Sequence, residues 1–162
     1  MSSWKRDYQA IIETPVGYVG VISEGARLTR LEFLSQRFRP KESDDPFIID
    51  VCRQIHNYMS EPGYRFDIPV KLCGTPYQQA VCRALSRIKP GKTISYGDLA
   101  DKLGSSARAV GGACKNNPLP IIIPCHRVVS RRGLGGFSGK TSGVKLDIKR
   151  WLLSHEASAG SK

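Results

Sequence analysis

The chain has 162 residues with 25 Lys+Arg against 14 Asp+Glu, a net charge of +11, and a chain of this length holds one or two small domains. Apolar residues make up 40%, yet no run approaches the ~18 consecutive apolar residues of a membrane-spanning helix, so no membrane partner is expected. Gly and Pro punctuate the apolar runs instead of forming low-complexity tracts, which argues against a disordered chain.

Residues 8–12 read as a strand, Thr14-Pro15-Val16-Gly17 as a turn, and residues 18–22 as a second β-branched run. Glu24-Gly25 marks another turn, and Leu28, Leu31, Phe33 and Leu34 give a third strand of an antiparallel meander. Phe47, Ile48, Val51, Ile55, Tyr58 and Met59 then recur at helical spacing until Pro62-Gly63. The predicted first domain is therefore a three-stranded sheet plus one helix over residues 1–70.

A second domain is predicted over residues 71–156. Thr75-Pro76-Tyr77-Gln78 combines an N-cap, a proline at the first helical position and a capping-box Gln; the helix it opens stops at Lys89-Pro90-Gly91. Ser95-Tyr96-Gly97-Asp98 opens another, which ends at Gly104, and Ser105 or Ser106 caps a third through Cys114. Two short helices joined by Gly-Ser-Ser fit a helix-turn-helix, so the fold class is α/β (α+β) with a mainly helical second domain. The second helix of that pair carries Gly111 and Gly112 side by side, each costing ~1 kcal/mol relative to Ala. Something must approach this backbone closely, either a neighbouring helix or DNA. Residues 157–162 are expected to form a disordered tail.

Charge is distributed unevenly between these parts. Residues 1–70 hold nine Lys/Arg and ten Asp/Glu, whereas residues 71–162 hold sixteen and four. That asymmetry suggests a polyanion at the second part; charge spread over a solvated face is the alternative that composition leaves open. The N-terminal Met1-Ser-Ser-Trp-Lys-Arg-Asp lacks the apolar run of a signal peptide. The expected location is the cytoplasm, on the nucleoid in a prokaryote, with reduced cysteines.

None of the five cysteines forms a C-x-x-C pair, so no metal site is expected. Cys52 with His56 lacks further ligands, Cys82 and Cys114 fall on apolar helix faces, and Cys73 is uninformative. Cys125 differs, because it follows the proline-rich apolar segment 118–124, read as extended, and precedes His126-Arg127. Prolines restrict the backbone ahead of it, and a neighbouring His or Arg favours the nucleophilic thiolate.

Ile123-Pro124-Cys125-His126-Arg127-Val128-Val129 resembles the active-site signature of the O6-alkylguanine-DNA alkyltransferases. Thr75-Pro76-Tyr77-Gln78-Gln79, Ser95-Tyr96-Gly97-Asp98-Leu99-Ala100, Arg108-Ala109-Val110-Gly111-Gly112-Ala113, Asn117-Pro118 and residues 149–156 match that family's pattern in the same order. Nearly all of 75–156 is covered, while residues 1–70 share only the architecture.

The resemblance implies a double-stranded DNA partner containing O6-alkylguanine, or O4-alkylthymine. A monomer without cofactor would flip the lesion out of the duplex and move its alkyl group to Cys125 in one turnover. By position, His126 is the base acting through a water, Glu156 orients it, Asn117 is a hinge and Tyr96 donates a proton or hydrogen bond to the guanine. Arg108 is the intercalating side chain, Ala109, Gly111, Gly112 and Ala113 lie on a helix pressed into the minor groove, and these with Ser95 and Thr75 are the DNA-binding residues. Val128, Ser138, Pro120 and Gly139 line the pocket, with Lys140-Thr141-Ser142 an addition to the family's shorter loops. The rivals are a non-catalytic damage sensor or DNA-binding regulator, and a cysteine hydrolase built on Cys125 and His126.

Overall fold

Thr14 closes the first turn of the chain with its own side chain: its Oγ1 donates to the Gly17 carbonyl at 2.7 Å and accepts from the Val16 amide at 3.1 Å. This turn joins β1 (Ala10–Thr14) to β2 (Gly17–Glu24), and Gly25 in the left-handed region leads into β3 (Arg27–Leu34). The sheet is antiparallel in the order β1-β2-β3, with Ile12 opposite Val19 and Val21 opposite Leu31. Helix α1 (Pro46–Ser60) starts on Asp45, whose side chain accepts from the Phe47 amide, and buries Ile48, Val51, Ile55 and Tyr58. Gln54, also buried, donates to the Asp67 carbonyl and accepts from its amide, at 3.0 and 2.8 Å. A neutral amide thus holds the segment after the helix. The computed structural model describes residues 7–35, 37–72, 74–133, 135 and 144–160, and contacts divide the chain into Met1–Lys71 and Leu72–Lys162.

In the second unit, Thr75 and Gln78 form a reciprocal capping box at the start of α2 (Pro76–Leu85). Ser95 caps α3 (Tyr96–Leu103), Gly104 ends it at φ 62°, and Ser106 caps α4 (Ala107–Lys115). Ser105 is left free of capping and meets Tyr77, hydroxyl to hydroxyl, at 2.6 Å. The mixed α/β class is as the sequence indicates. Two features depart from it. Segment 118–124 is folded into turns, not extended, with Ile123 donating back to the Leu119 carbonyl at 2.8 Å. Helix α5 (Val144–Gly160) runs through residues 157–160, where a disordered tail was expected. Its last turn extends the helix that carries Glu156, so those residues have backbone partners.

The turns of 118–124 deliver the chain into a short 3-10 helix at Cys125–Arg127 and then β5 (Val128–Val129), which pairs in parallel with β4 (Ile94–Ser95). Ile121 lies at φ +75°, a conformation that a β-branched residue adopts only when its surroundings enforce it. Asn117 contributes to that enforcement. Its Nδ2 donates to the Ile123 carbonyl at 2.8 Å and its Oδ1 accepts from the Leu119 amide at 3.0 Å, so one side chain clamps both ends of the turn.

Candidate active site and nucleic-acid interface

Helix α5 supplies one wall of the site. Leu146, Lys149, Leu152 and Glu156 recur at helical spacing and all point inward. Two charged groups thereby enter a stripe that would otherwise be apolar, and burying a charge is costly unless it is paired. Both are paired. Lys149 Nζ donates to the Val128 carbonyl at 2.8 Å and stands 5.8 Å from the centre of the Tyr96 ring. Glu156, 1% exposed, meets the 3-10 helix.

Three bonds converge on that carboxylate. His126 Nε2 lies 2.8 Å from Oε2, and Arg127 reaches Oε1 through Nε and Oε2 through Nη2, each at 2.8 Å. Arg127 Nη1 also donates to the Ile88 carbonyl beyond the end of α2. Burial alone would raise the Glu156 pKa, but the bonds from Arg127 and His126 hold it down at about 2. It is therefore ionised and can only accept, so the hydrogen on His126 Nε2 is fixed there. Burial pushes the His126 pKa down against the pull of Glu156. The imidazole is neutral, with its lone pair on Nδ1. That nitrogen has no hydrogen-bond partner among the described residues.

Cys125 is 4% exposed, and burial pushes its thiol up to about 11. Burial is opposed by a hydrogen bond from Asn117, the charge of Lys149 and a backbone hydrogen bond. This corrects the expectation that the adjacent His126 and Arg127 hold a thiolate: Arg127 is committed to Glu156, and His126 is neutral. Lys149 is itself lowered to about 8 by burial, against the pull of Cys125 and Cys114. The resting site is a thiol beside a neutral base.

Tyr96 is half-buried at the start of α3, and the Cβ of any residue other than glycine at 135, where φ is +73°, would lie 2.9 Å from its ring. The backbone there comes that close to the tyrosine. Val128 is fully buried, and its carbonyl is the one that holds Lys149. Pro120 is buried in the turn ahead of Cys125. Ser138, Gly139 and the 140–142 addition lie outside the described residues, as does Cys73.

On α4, Arg108, Ala109 and Gly112 are exposed and Gly111 is half-buried. A Cβ built on Gly111 or Gly112 would meet nothing within 4 Å, so among the described residues no neighbouring helix packs against these two glycines. Ala113 is a correction: it is 6% exposed and faces the core beside Val110 and Cys114, away from the open face. Thr75 and Ser95 both serve as N-caps. Among the described residues, no group of three or more His, Cys, Asp or Glu could hold a metal ion. His56 contacts the Glu13 carbonyl at 3.4 Å.

What sequence reasoning missed is the pairing of Arg127 with Glu156 and the place of Lys149 in the site. A signal for Lys149 was present, namely a lysine seven residues before a glutamate inside an apolar helical stripe. Its place beside Cys125 drew attention to Arg127, but nothing local pointed to its actual partner, which lies 29 residues away.

The family model of the 6-O-methylguanine DNA methyltransferase DNA-binding domain matches residues 76–158. The constitutive methylated-DNA--protein-cysteine methyltransferase of Bacillus subtilis is 37% identical, over 93% of this chain and 95% of that protein. The crystal structure of Mycobacterium tuberculosis O6-methylguanine methyltransferase superposes with a TM-score of 0.78 at 35% identity, covering 94% of each chain. A crystal structure of Mycobacterium tuberculosis OGT in complex with DNA gives 0.74 at 37% identity, covering 91% of each chain.

Proposed function

Because this chain belongs to the 6-O-methylguanine DNA methyltransferase family, we propose that Cys125 is the acceptor of the alkyl group and that His126, Glu156, Asn117, Tyr96 and Lys149 make its transfer possible. The activity is that of a methylated-DNA--protein-cysteine methyltransferase acting in DNA repair, and DNA is the partner. The observation that carries the residue assignment is the buried imidazole: one nitrogen is held by an ionised carboxylate, and the other is left with a lone pair beside the thiol's turn.

The step follows from these groups. The lesion is extruded from the duplex, because its reacting carbon is inaccessible in the stack. His126 Nδ1 takes the Cys125 proton through a water, and Sγ attacks the alkyl carbon on guanine O6. The S–C bond forms as the C–O6 bond breaks, and the electron pair passes into the guanine ring. Tyr96 meets this charge with its hydrogen bond and passes a proton to the base; the proton that His126 took from Cys125 returns through solvent to restore the tyrosine, so a neutral guanine and an S-alkylcysteine result. Lys149 stabilises the thiolate while it exists. A thioether has no good leaving group, so each molecule acts once.

DNA binding is assigned to α4 with its Ser95 and Thr75 neighbours. Arg108 fills the gap left by the extruded base, while Ala109, Gly111 and Gly112 let the helix approach the minor groove. The open face at the two glycines supports this. All the groups named come from one chain, which is the basis for a monomeric acting unit. No helix among the described residues is long and apolar enough to cross a membrane, and we place the protein with the DNA in the cytoplasm. A non-catalytic sensor is disfavoured because the nucleophile is present and surrounded by its proposed auxiliaries. Peptide mass spectrometry after incubation with O6-methylguanine DNA tests the assignment. One methyl group on the Cys125 peptide, one equivalent per molecule, is expected. Label on Cys52, Cys73, Cys82 or Cys114 would overturn it, and repeated turnover would indicate a hydrolase.

A further inference from the structure

Glu156 serves two residues at once, and the arrangement has an electrostatic consequence for the base. We propose that Arg127 is the positioning residue that keeps His126 uncharged: its guanidinium neutralises Glu156, so the carboxylate orients the imidazole without holding a proton on it. The inference rests on the reading of His126 as the general base.

Consider the site without Arg127. A buried carboxylate 2.8 Å from an imidazole is stabilised most simply by a counter-charge, and the imidazole can supply one by taking up a proton. The base would then be protonated before the thiol had given anything up. With Arg127 present, Glu156 already has its cation through two parallel bonds at 2.8 Å, the fork geometry that suits a carboxylate best. A second cation at His126 would be buried without a counter-charge. The charged groups acting on His126 are Glu156 and Lys149 from α5 and Arg127 from its own turn. Glu156 favours the imidazolium, whereas Lys149 and Arg127 oppose it. Of the two opposing cations, only Arg127 bonds the same carboxylate. The guanidinium cannot swing away, because its remaining nitrogen is held by the Ile88 carbonyl. Arg127 thus separates two properties of Glu156, orientation and charge, and leaves only the first acting on the base.

The test combines ring titration with transfer rates in the full chain. Long-range 1H–15N spectra report the tautomer and the titration of His126 directly. In the unsubstituted protein, a neutral ring with its hydrogen on Nε2 is expected at pH 7; a charged ring there would overturn the proposal without any variant. In Arg127→Gln the titration should move to higher pH, with at least a tenfold gain in proton affinity. Arg127→Lys, which keeps the charge but not the fork, should stay near the unsubstituted value. No movement in R127Q, or equal movement in both variants, would overturn the proposal. Transfer by R127Q should fall at neutral pH in proportion to the fraction of His126 that remains neutral, up to the ~100-fold scale of a lost general base, and recover as pH rises. A loss that is equal at every pH, with no movement of the ring titration, would mark Arg127 as purely structural and also overturn the proposal. If the ring titration moves as expected while the rate does not follow it, Arg127 acts as proposed and the reading of His126 as base is what fails.

Discussion

The two units bury different things. The first hides apolar side chains and, for polarity, Thr14 and the neutral Gln54; the second hides His126, Arg127, Lys149 and Glu156 beside the Cys125 thiol. Gln54 satisfies its amide with two backbone bonds to Asp67, an arrangement that stabilises a fold and leaves no proton to move. A neutral buried group is the inexpensive way to tie a segment down, and buried charges of this kind are often no better for stability than apolar groups of the same size. Among the described residues such buried charged groups occur in the second unit alone, which marks it as the unit where buried charges set one another's proton affinities.

The sharpest way to break this contrast is to remove one charge from the second unit. Glu156→Gln leaves the Arg127 guanidinium buried without its counter-charge and should destabilise the unit by about 3–5 kcal/mol. It should also reduce the transfer rate by ~100-fold or more. Gln54→Ala in the first unit should cost about 1–3 kcal/mol and leave transfer by the folded protein unchanged. Denaturant titration and single-turnover kinetics on the two variants give both numbers. A Gln54→Ala protein that is folded but inactive would erase the distinction.

Acid should divide the units as well. The Glu156 pKa is depressed to about 2 from an ordinary value near 4.5, so its contribution is complete above the unfolded value and is lost as pH falls from about 4.5 toward about 2, a matter of about 3 kcal/mol. Lys149 acts at the other end. Its value of about 8 lies below the ordinary 10.5, so the unfolded chain binds more protons between those values and the cost of burying the lysine eases as pH rises through them. Amide exchange resolved by residue should show the second unit opening first below pH 4.5; protection lost first in the sheet of the first unit would contradict the comparison.

Lys149→Met should leave stability within about 1–2 kcal/mol or raise it, since an apolar group of similar length replaces a buried charge. Transfer should nonetheless fall ~10-fold as the thiolate loses its cation, or more. Loss of stability without loss of rate would remove Lys149 from the chemistry. Smallest of all, Arg108→Ala should slow repair of duplex DNA several-fold, on the order of 1 kcal/mol, and spare transfer from free O6-benzylguanine, which needs no extrusion. Equal losses on both substrates would assign Arg108 to the pocket or the fold.

Much of this was legible in the sequence, for reasons that can be given residue by residue. The meander and α1 follow from period-2 and helical apolar spacing, and the capped helices from Thr75, Ser95, Ser106 and Gly104. The thiol was singled out by what precedes and follows it. The turn at 118–124 was misread because its apolar residues and prolines suit an extended chain equally well, and the clamp from Asn117 cannot be seen in spacing. The two-residue pairing of Ile94 with Val128 is too short to leave a period. The double role of Glu156 depends on contacts across 29 and 30 residues, which no local pattern encodes. Ala113 was placed on the outer face because it belongs to a small-residue run, although its position one turn from Val110 puts it inward.

The burial of Cys125 has a consequence for what the protein can ignore. A thiolate on the surface would react with any alkylating agent or peroxide that diffused past, and for a reagent that works once such an encounter would be final. Here the sulfur is protonated at rest, at about 11, and enclosed, so small electrophiles meet a poor nucleophile behind a packed wall. On the proposed reading, a base delivered into the site with its leaving oxygen aligned is what lets the imidazole release the sulfur. Chemical selectivity then comes less from recognising the right electrophile than from staying inert until one has been placed.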